Sequence, residues 1–315
     1  MATQVQTTAA LTDLDKQFYD TVLLERALPN LVHAQWAQQR PIPGGVGRTI
    51  EFRRFDALSE LSAAPLTPGV VPSGEVMSIT AVTASVSQFG AYILGSDDLE
   101  LASIDAVLTE NSELLGEQAG ETLDIVVREI IVAGTNVQYA NGKGSRGDIN
   151  SGDVLDASEI LTAVTNLKVN NARPVKDNRY IAIIHPNTTQ RALEDTTISN
   201  IFQNAYARSD SGNPLSVGEL GDIYGARFVE STNARIFSGA GVSSEDVYAS
   251  LFIGANAYGV LELESLTLET YFKPRGSGGA TGDPLEQLWS QGWKAYFAAV
   301  ILNQNWIRRV EHWSA

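Results

Sequence analysis

Three features of the 315-residue chain predict an α+β fold. Residues 96–134 place apolar side chains at helical spacing, and no proline occurs between Pro72 and Pro174. Residues 48–94 alternate apolar and polar in two runs that flank a segment rich in Pro and Gly, as a long two-stranded excursion does. The remainder mixes short strands and short helices without the regular β-α-β succession of a doubly wound sheet, and no internal repeat is visible.

Taken in order, residues 1–11 are rich in Thr and Gln and read as loose. Thr12 and Asp13 cap a helical stretch over residues 14–39, interrupted at Pro29, with Phe18, Val22, Leu31, Val32 and Trp36 as its apolar members. So few apolar residues form no core, which makes this stretch an arm that lies across another part of the molecule or a neighbour. In the excursion, Thr49 to Arg53 forms one strand. A second runs from Ser78 through Val86 and Phe89 to Ile93, and the tip between them holds Pro65, Pro68, Gly69, Pro72 and Gly74. An isolated hairpin is marginal in water, so one this long is expected to find its second layer on another subunit.

The helix that follows sets Ile104, Leu108, Leu115, Ala119, Leu123, Val126 and Ile130 on one face. Glu110, Glu113, Glu117, Glu121 and Asp124 form a stripe on the other, expected to face solvent. Asp97 with Glu100 reads as a capping box, Ser103 as a second N-cap that allows a short preceding helix, and Gly134 as a C-terminal stop. From residue 103 to 134 such a helix is ~45 Å long, a scaffold for other elements. Gly116 and Gly120 weaken it by about 1 kcal/mol each relative to alanine.

Residues 135–153, dense in Gly and Asn, read as a surface loop. Asp156 and Glu159 cap a helix to about residue 170. Residues 179–185 form a short buried strand that turns through His185-Pro186-Asn187 into a small helix. Residues 206–221 are irregular, while 224–231, 247–254 and 265–272 read as strands. A Gly-rich loop at 274–282 precedes two closing apolar stretches, 293–302 and 306–310.

Composition narrows the function. A net charge of −15 lacks the basic footprint of a nucleic-acid binder. The absence of cysteine closes disulfides, thiol nucleophiles and Cys-based metal sites. Residues 1–10 carry no secretory signal and no apolar run is long enough for a membrane span, so a soluble protein made in a cytoplasm is expected. His33, His185 and His312 have no metal-ligand spacing, and no nucleophile elbow occurs. Asn141 to Ser145 lacks the glycine and the strand–loop–helix setting of a phosphate loop, and Arg146-Gly147-Asp148 reads as a chance tripeptide. Glu262 and Glu264 alternate with Leu261 and Leu263 as a solvated face. Asp148, Asn150, Asp156 and Glu159 fall at positions 1, 3, 9 and 12 of an EF-hand-like loop, but Gly152 and Asp153 reverse the order that positions 5 and 6 require. A polar loop entering a capped helix is the simpler reading, with a calcium-dependent binding module as the alternative. No catalytic, cofactor or metal residue is assigned, and no enzyme is expected.

In this order, an arm, a long Pro/Gly-tipped hairpin, one very long helix and a compact mixed region resemble the major capsid proteins of tailed double-stranded DNA bacteriophages, with the Hong Kong 97-like fold. The segments Tyr180-Ile181-Ala182-Ile183-Ile184-His185-Pro186, Gly221-Asp222-Ile223-Tyr224-Gly225-Ala226-Arg227-Phe228-Val229-Glu230-Ser231 and Gly254 to Gly259 are similar to the coat-protein family of N4-like phages. So are Asp283-Pro284-Leu285, Gly292-Trp293-Lys294 and Ala298 to Leu302. The loop at 135–153 departs from that family, as does the lack of a long N-terminal scaffolding region.

The resemblance implies an N-terminal arm at 1–46, an extended loop at 47–95, a peripheral domain with the spine helix at 96–175, an axial domain at 176–264 and a return to the peripheral domain at 265–315. It further implies self-assembly into hexamers and pentamers of an icosahedral head in the virion, formed in the host bacterial cytoplasm. The double-stranded DNA would be enclosed without specific binding, no membrane is involved, and portal, scaffolding and decoration proteins are the remaining candidate partners. An encapsulin-type cargo shell is the alternative within the fold. Arg48, Arg53 and Arg54 on the first hairpin strand are candidates for inter-subunit ion pairs, and the acidic helix stripe for a surface that repels packaged DNA.

Overall fold

The computed structural model describes residues 32–42, 48–55, 58, 67–71, 74–102, 107–200, 221–263, 269–275 and 285–314. The chain begins with β1 (Gln38–Ile42), β2 (Thr49–Phe55), β3 (Ile79–Ser85) and β4 (Ser87–Ser96), then α1 (Asp97–Ala102) and α2 (Val107–Val132). Next come β5 (Val137–Tyr139), α3 (Ala157–Val169), β6 (Tyr180–Ile184) and α4 (Pro186–Glu194). The strands β7 (Asp222–Ile223), β8 (Ala226–Glu230), β9 (Ile236–Phe237) and β10 (Val247–Ile253) follow. The last four are β11 (Tyr258–Leu263), β12 (Glu269–Lys273), β13 (Leu288–Ile301) and β14 (Ile307–Trp313).

These build two sheets and a ribbon. One sheet runs β1-β11-β13-β12, with β4 along the opposite edge of β13. The other runs β5-β14-β10-β6-β8-β7, with β9 beside β10. β2 and β3 pair only with each other among the described strands.

β6 explains the layering. All five of its residues are buried. Tyr180, Ala182 and Ile184 pack with Ile160, Val164 and Leu167 of α3, whereas Ile181 and Ile183 pack with Val127 and Ile131 of α2. A strand covered on both faces needs a continuous apolar run, and β10, buried throughout, shows the same requirement. Each fully buried Ile or Leu here contributes about 1.5–3 kcal/mol. Local signals agree with this packing. Asp156 Oδ1 accepts from the Glu159 N–H at 2.8 Å, His185 Nδ1 accepts from the Asn187 N–H at 3.1 Å, and Pro186 opens α4. The β7–β8 turn holds Tyr224 and Gly225 at φ 51° and 86°, the two left-handed residues of a tight hairpin.

Several expectations change. Residues 14–31 lie outside the described residues, but the arm does not continue as helix to residue 39, since β1 pairs in parallel with Gly259 to Leu263. The hairpin's second strand breaks at Val86. β3 pairs with β2, while β4 crosses to β13, so the alternation continues but its partner changes. The long helix is preceded by α1, which is capped one residue earlier than expected, by Ser96 Oγ accepting from the Leu99 N–H at 3.4 Å. Gly134 is not left-handed. A Cβ there would meet Ile131 O at 3.1 Å and Gln304 Oε1 at 3.2 Å, so the glycine allows close approach. Residues 135–153 are not a simple surface loop, because β5 pairs in parallel with β14 and Ile149 is fully buried. Of the strand expected at 265–272, the described part is β12; residues 206–220 and 276–284 lie outside the described residues.

Candidate interaction surface

The hairpin changes character along its length. At its root, Ile50, Phe52, Ala84 and Val86 pack on Leu261, Tyr296, Ala298 and Val300 of the first sheet. Beyond the root, Phe55 is 60% exposed, Val71 90% and Val76 91%, with Val70, Met77 and Ile79 also open to solvent. The tip contains a built turn. The Val70 N–H donates to the Thr67 carbonyl at 3.2 Å, Pro68 fixes the second position and Gly69 takes φ +82° at the third. A ribbon that carries large apolar side chains into water has the character of a candidate contact surface. Arg53 Nε bonds its own Glu51 at 2.8 Å on the exposed strand, and the Arg48 guanidinium lies 5.8 Å from the Tyr296 ring centroid.

The face of the first sheet that carries the hairpin root also carries an open groove of about 670 Å³. Its floor is glycine. A Cβ at Gly90 would meet Trp293 O at 2.7 Å, and one at Gly292 would meet Tyr92 Cβ at 2.7 Å. Tyr92 and Tyr271 line it with Lys273 and Lys294, and the Lys294 ammonium lies 4.9 Å from the Tyr271 ring centroid. Sequence patterning gave no sign of this groove, because its parts sit on three strands far apart in the chain.

The opposite face of that sheet seats α2. Leu115, Ala119 and Leu123 pack against Phe89, Ala91, Trp293 and Ala295. Glu110 and Glu113 are exposed and Glu117 and Glu121 half-buried, but Asp124 does not belong to the acidic stripe. It is 1% exposed and accepts from the His33 N–H at 2.8 Å and from His33 Nδ1 at 2.7 Å. The Tyr258 hydroxyl donates to the His33 carbonyl, so arm, helix and sheet meet at one residue. Burial, with the Asp124 charge in support, pushes the Tyr258 hydroxyl far above its ordinary range.

The remaining motifs resolve into structure. Arg146 donates twice to fully buried Glu311, both at 2.7 Å, and stacks on Phe237. In the EF-hand-like stretch, Asp153 accepts from the Asn150 N–H and from Asn141 Nδ2, Glu159 accepts from the Asn141 N–H, and Asp148 accepts from Ser145. Its acids thus turn to separate donors, and among the described residues no three His, Asp or Glu side chains converge on one point. No helix among the described residues is long and apolar enough to cross a membrane.

A family model described as "Phage capsid protein" matches residues 79–310. No curated protein matches by sequence. Among solved structures, the cyanophage Pam1 capsid superposes with a TM-score of 0.75 at 14% identity, covering 100% of both chains. The cyanophage P-SCSP1u capsid gives 0.71 at 14% identity, over 97% of this chain and 95% of that one. The Ralstonia phage GP4 capsid gives 0.69 at 13% identity, over 89% and 87%. At these identities the likeness is one of fold.

Proposed function

The chain belongs to the phage capsid protein family and is a structural protein of the icosahedral phage head, from which premise we propose that its copies overlap through the hairpin and arm to form the shell's hexamers and pentamers. The observation that carries this reading is the split in the hairpin. Its root is packed on its own sheet, while the tip holds Val71 and Val76 almost wholly in water. A heterologous contact of this kind leaves each copy with one donor surface and one acceptor surface, and closes only in a ring or shell.

On this reading the fold is Hong Kong 97-like and the chain is a coat protein of the N4-like kind. Residues 1–46 act as the arm, 47–95 as the extended loop, 96–175 as the peripheral domain built on α2, 176–264 as the axial domain and 265–315 as the return to the peripheral domain. The sheet containing β6 and β10 draws five of its seven strands from the axial range, β5 and β14 enter it from outside that range, and β13 packs along α2. The protein works by contact and does no chemistry. Double-stranded DNA is enclosed without specific binding, portal, scaffolding and decoration proteins meet the assembled shell, and assembly takes place in the bacterial cytoplasm. Negative-stain electron microscopy with sedimentation velocity tests the proposal. Closed polyhedral shells, or rings of five and six copies, are expected; a folded species that stays at 33.9 kDa at high concentration would refute it.

A further inference from the structure

We propose that β12 is a docking edge at which two copies pair antiparallel about a two-fold axis, so that the first sheet continues from one subunit into the next as β13-β12-β12-β13. The inference rests on the assembly reading above and adds a contact that neither the hairpin nor the arm supplies. β12 bonds β13 along one side, and no described strand lies along the other. Thr270, Tyr271, Phe272 and Lys273 are exposed, Tyr271 at 41% and Phe272 at 53%. An open edge of this kind templates a further strand unless it is blocked.

Three observations identify a second copy as the strand this edge accepts. The first is register. Directly opposed residues of an antiparallel ladder are of one hydrogen-bonding kind, and that kind alternates along each strand. When a strand meets its own copy, the two-fold axis must therefore pass through a residue. With the axis at Tyr271 all five residues of β12 overlap, and Pro274, which has no N–H to donate, stays outside the ladder. The second is charge. That register sets Glu269 of each copy opposite Lys273 of the other, whereas parallel pairing in register would set lysine against lysine. Within its own sheet Glu269 already faces Lys294 and accepts from the Tyr271 hydroxyl, but Lys273 faces only Ser290. Lys273 is thus the cation with no carboxylate across its own ladder, and the second copy's Glu269 supplies one. The third is the other face of the strand. There the same register brings Phe272 of each copy against Thr270 of the other, an aromatic and β-branched pair that stabilises antiparallel ladders. A lysine on an edge strand ordinarily repels a newcomer. Matched with Glu269 in this way, it makes the edge selective for one partner in one orientation.

The chain has no cysteine, so each introduced thiol reports alone. Assembled shells are oxidised and run under denaturing, non-reducing conditions. Tyr271→Cys, on the axis, should give a covalent dimer, since opposed Cα atoms ~4.5–5.5 Å apart lie within disulfide reach. Lys273→Cys alone should give none, because its two copies lie ~13 Å apart along the ladder. Glu269→Cys with Lys273→Cys should again stop at the dimer, as both bonds join the same two chains. A ladder of longer chains from that variant would reveal a head-to-tail contact and overturn the two-fold pairing. Thr270→Cys with Phe272→Cys repeats the test on the other face, in case Tyr271→Cys disturbs the strand. Intact shells with no dimer from Tyr271→Cys or from either double variant would overturn the proposal and leave the capsid reading standing. A wild-type chain that never assembles would remove both. Separately, Lys273→Glu opposes like charges twice at each contact and should raise the critical concentration for assembly about tenfold, while Lys273→Arg leaves it near wild type. Equal behaviour of the two variants would overturn the register.

Discussion

His312 occupies a site with room for one proton arrangement. It is fully buried; Nδ1 faces the Trp313 carbonyl at 3.1 Å and must donate, so Nε2 accepts from the Ser250 hydroxyl at 2.8 Å. Burial holds its pKa down to about 4, below the ordinary histidine value of 6.5. The unfolded chain therefore binds a proton at a pH where the folded chain does not. The resulting stability is fully present above pH ~6.5 and is lost as pH falls toward 4, a change of about 3 kcal/mol at ~1.4 kcal/mol per unit. Melting temperatures of the wild type between pH 7 and 4 should fall more steeply than those of His312→Gln. A second buried group tests the arm. Asp124→Ala orphans the His33 N–H and Nδ1–H donors and should destabilise by roughly 3 kcal/mol in urea unfolding, whereas Glu117→Ala should change little. Spacing alone places both acids on one stripe. What separates them is a histidine 91 residues away in sequence, which no local pattern reveals.

The elements whose determinants are local were legible in the sequence: the Asp156 cap of α3, the buried run of β6, and the His185-Pro186 entry to α4. Elements defined by a distant partner were not. Gln38 and Gln39, read as the end of a helical stretch, open β1 instead because β11 offers them an edge. The break at Val86 leaves the alternation intact and alters only which strand lies alongside. The groove floored by Gly90 and Gly292 was illegible for the same reason. At this scale Gly116 is a test of α2, because a Cβ there meets nothing within 4 Å. Gly116→Ala should stabilise by about 0.5–1 kcal/mol, measured by thermal or urea unfolding. On the ribbon, reversing Arg53 and Arg54 to Glu should leave the circular dichroism of the monomer unchanged and impair shell formation scored by electron microscopy. Normal shells would remove these arginines from the contact.

Across the whole molecule, the net charge of −15 combines with one long helix whose acids Glu110, Glu113, Glu117 and Glu121 reach water to different degrees. If that edge lines the shell's interior, it keeps packaged phosphates from adhering. Changing these four to Gln, with Asp124 kept because it is a buried partner of His33, should leave shells intact and slow DNA release; unchanged packaging and ejection would refute the repulsion. The place of β14 has a separate consequence, in time. It lies between β5 and β10, yet residues 307–313 leave the ribosome long after residues 137–139 and 247–253. At ~5–20 residues per second, β5 waits on the order of ten to thirty seconds for its neighbour. β10 emerges 60 residues ahead of β14 and so presents an unpaired apolar edge for roughly three to twelve seconds. A nascent chain on a crowded polysome is therefore most exposed to pairing with the wrong copy shortly before its sheet can close.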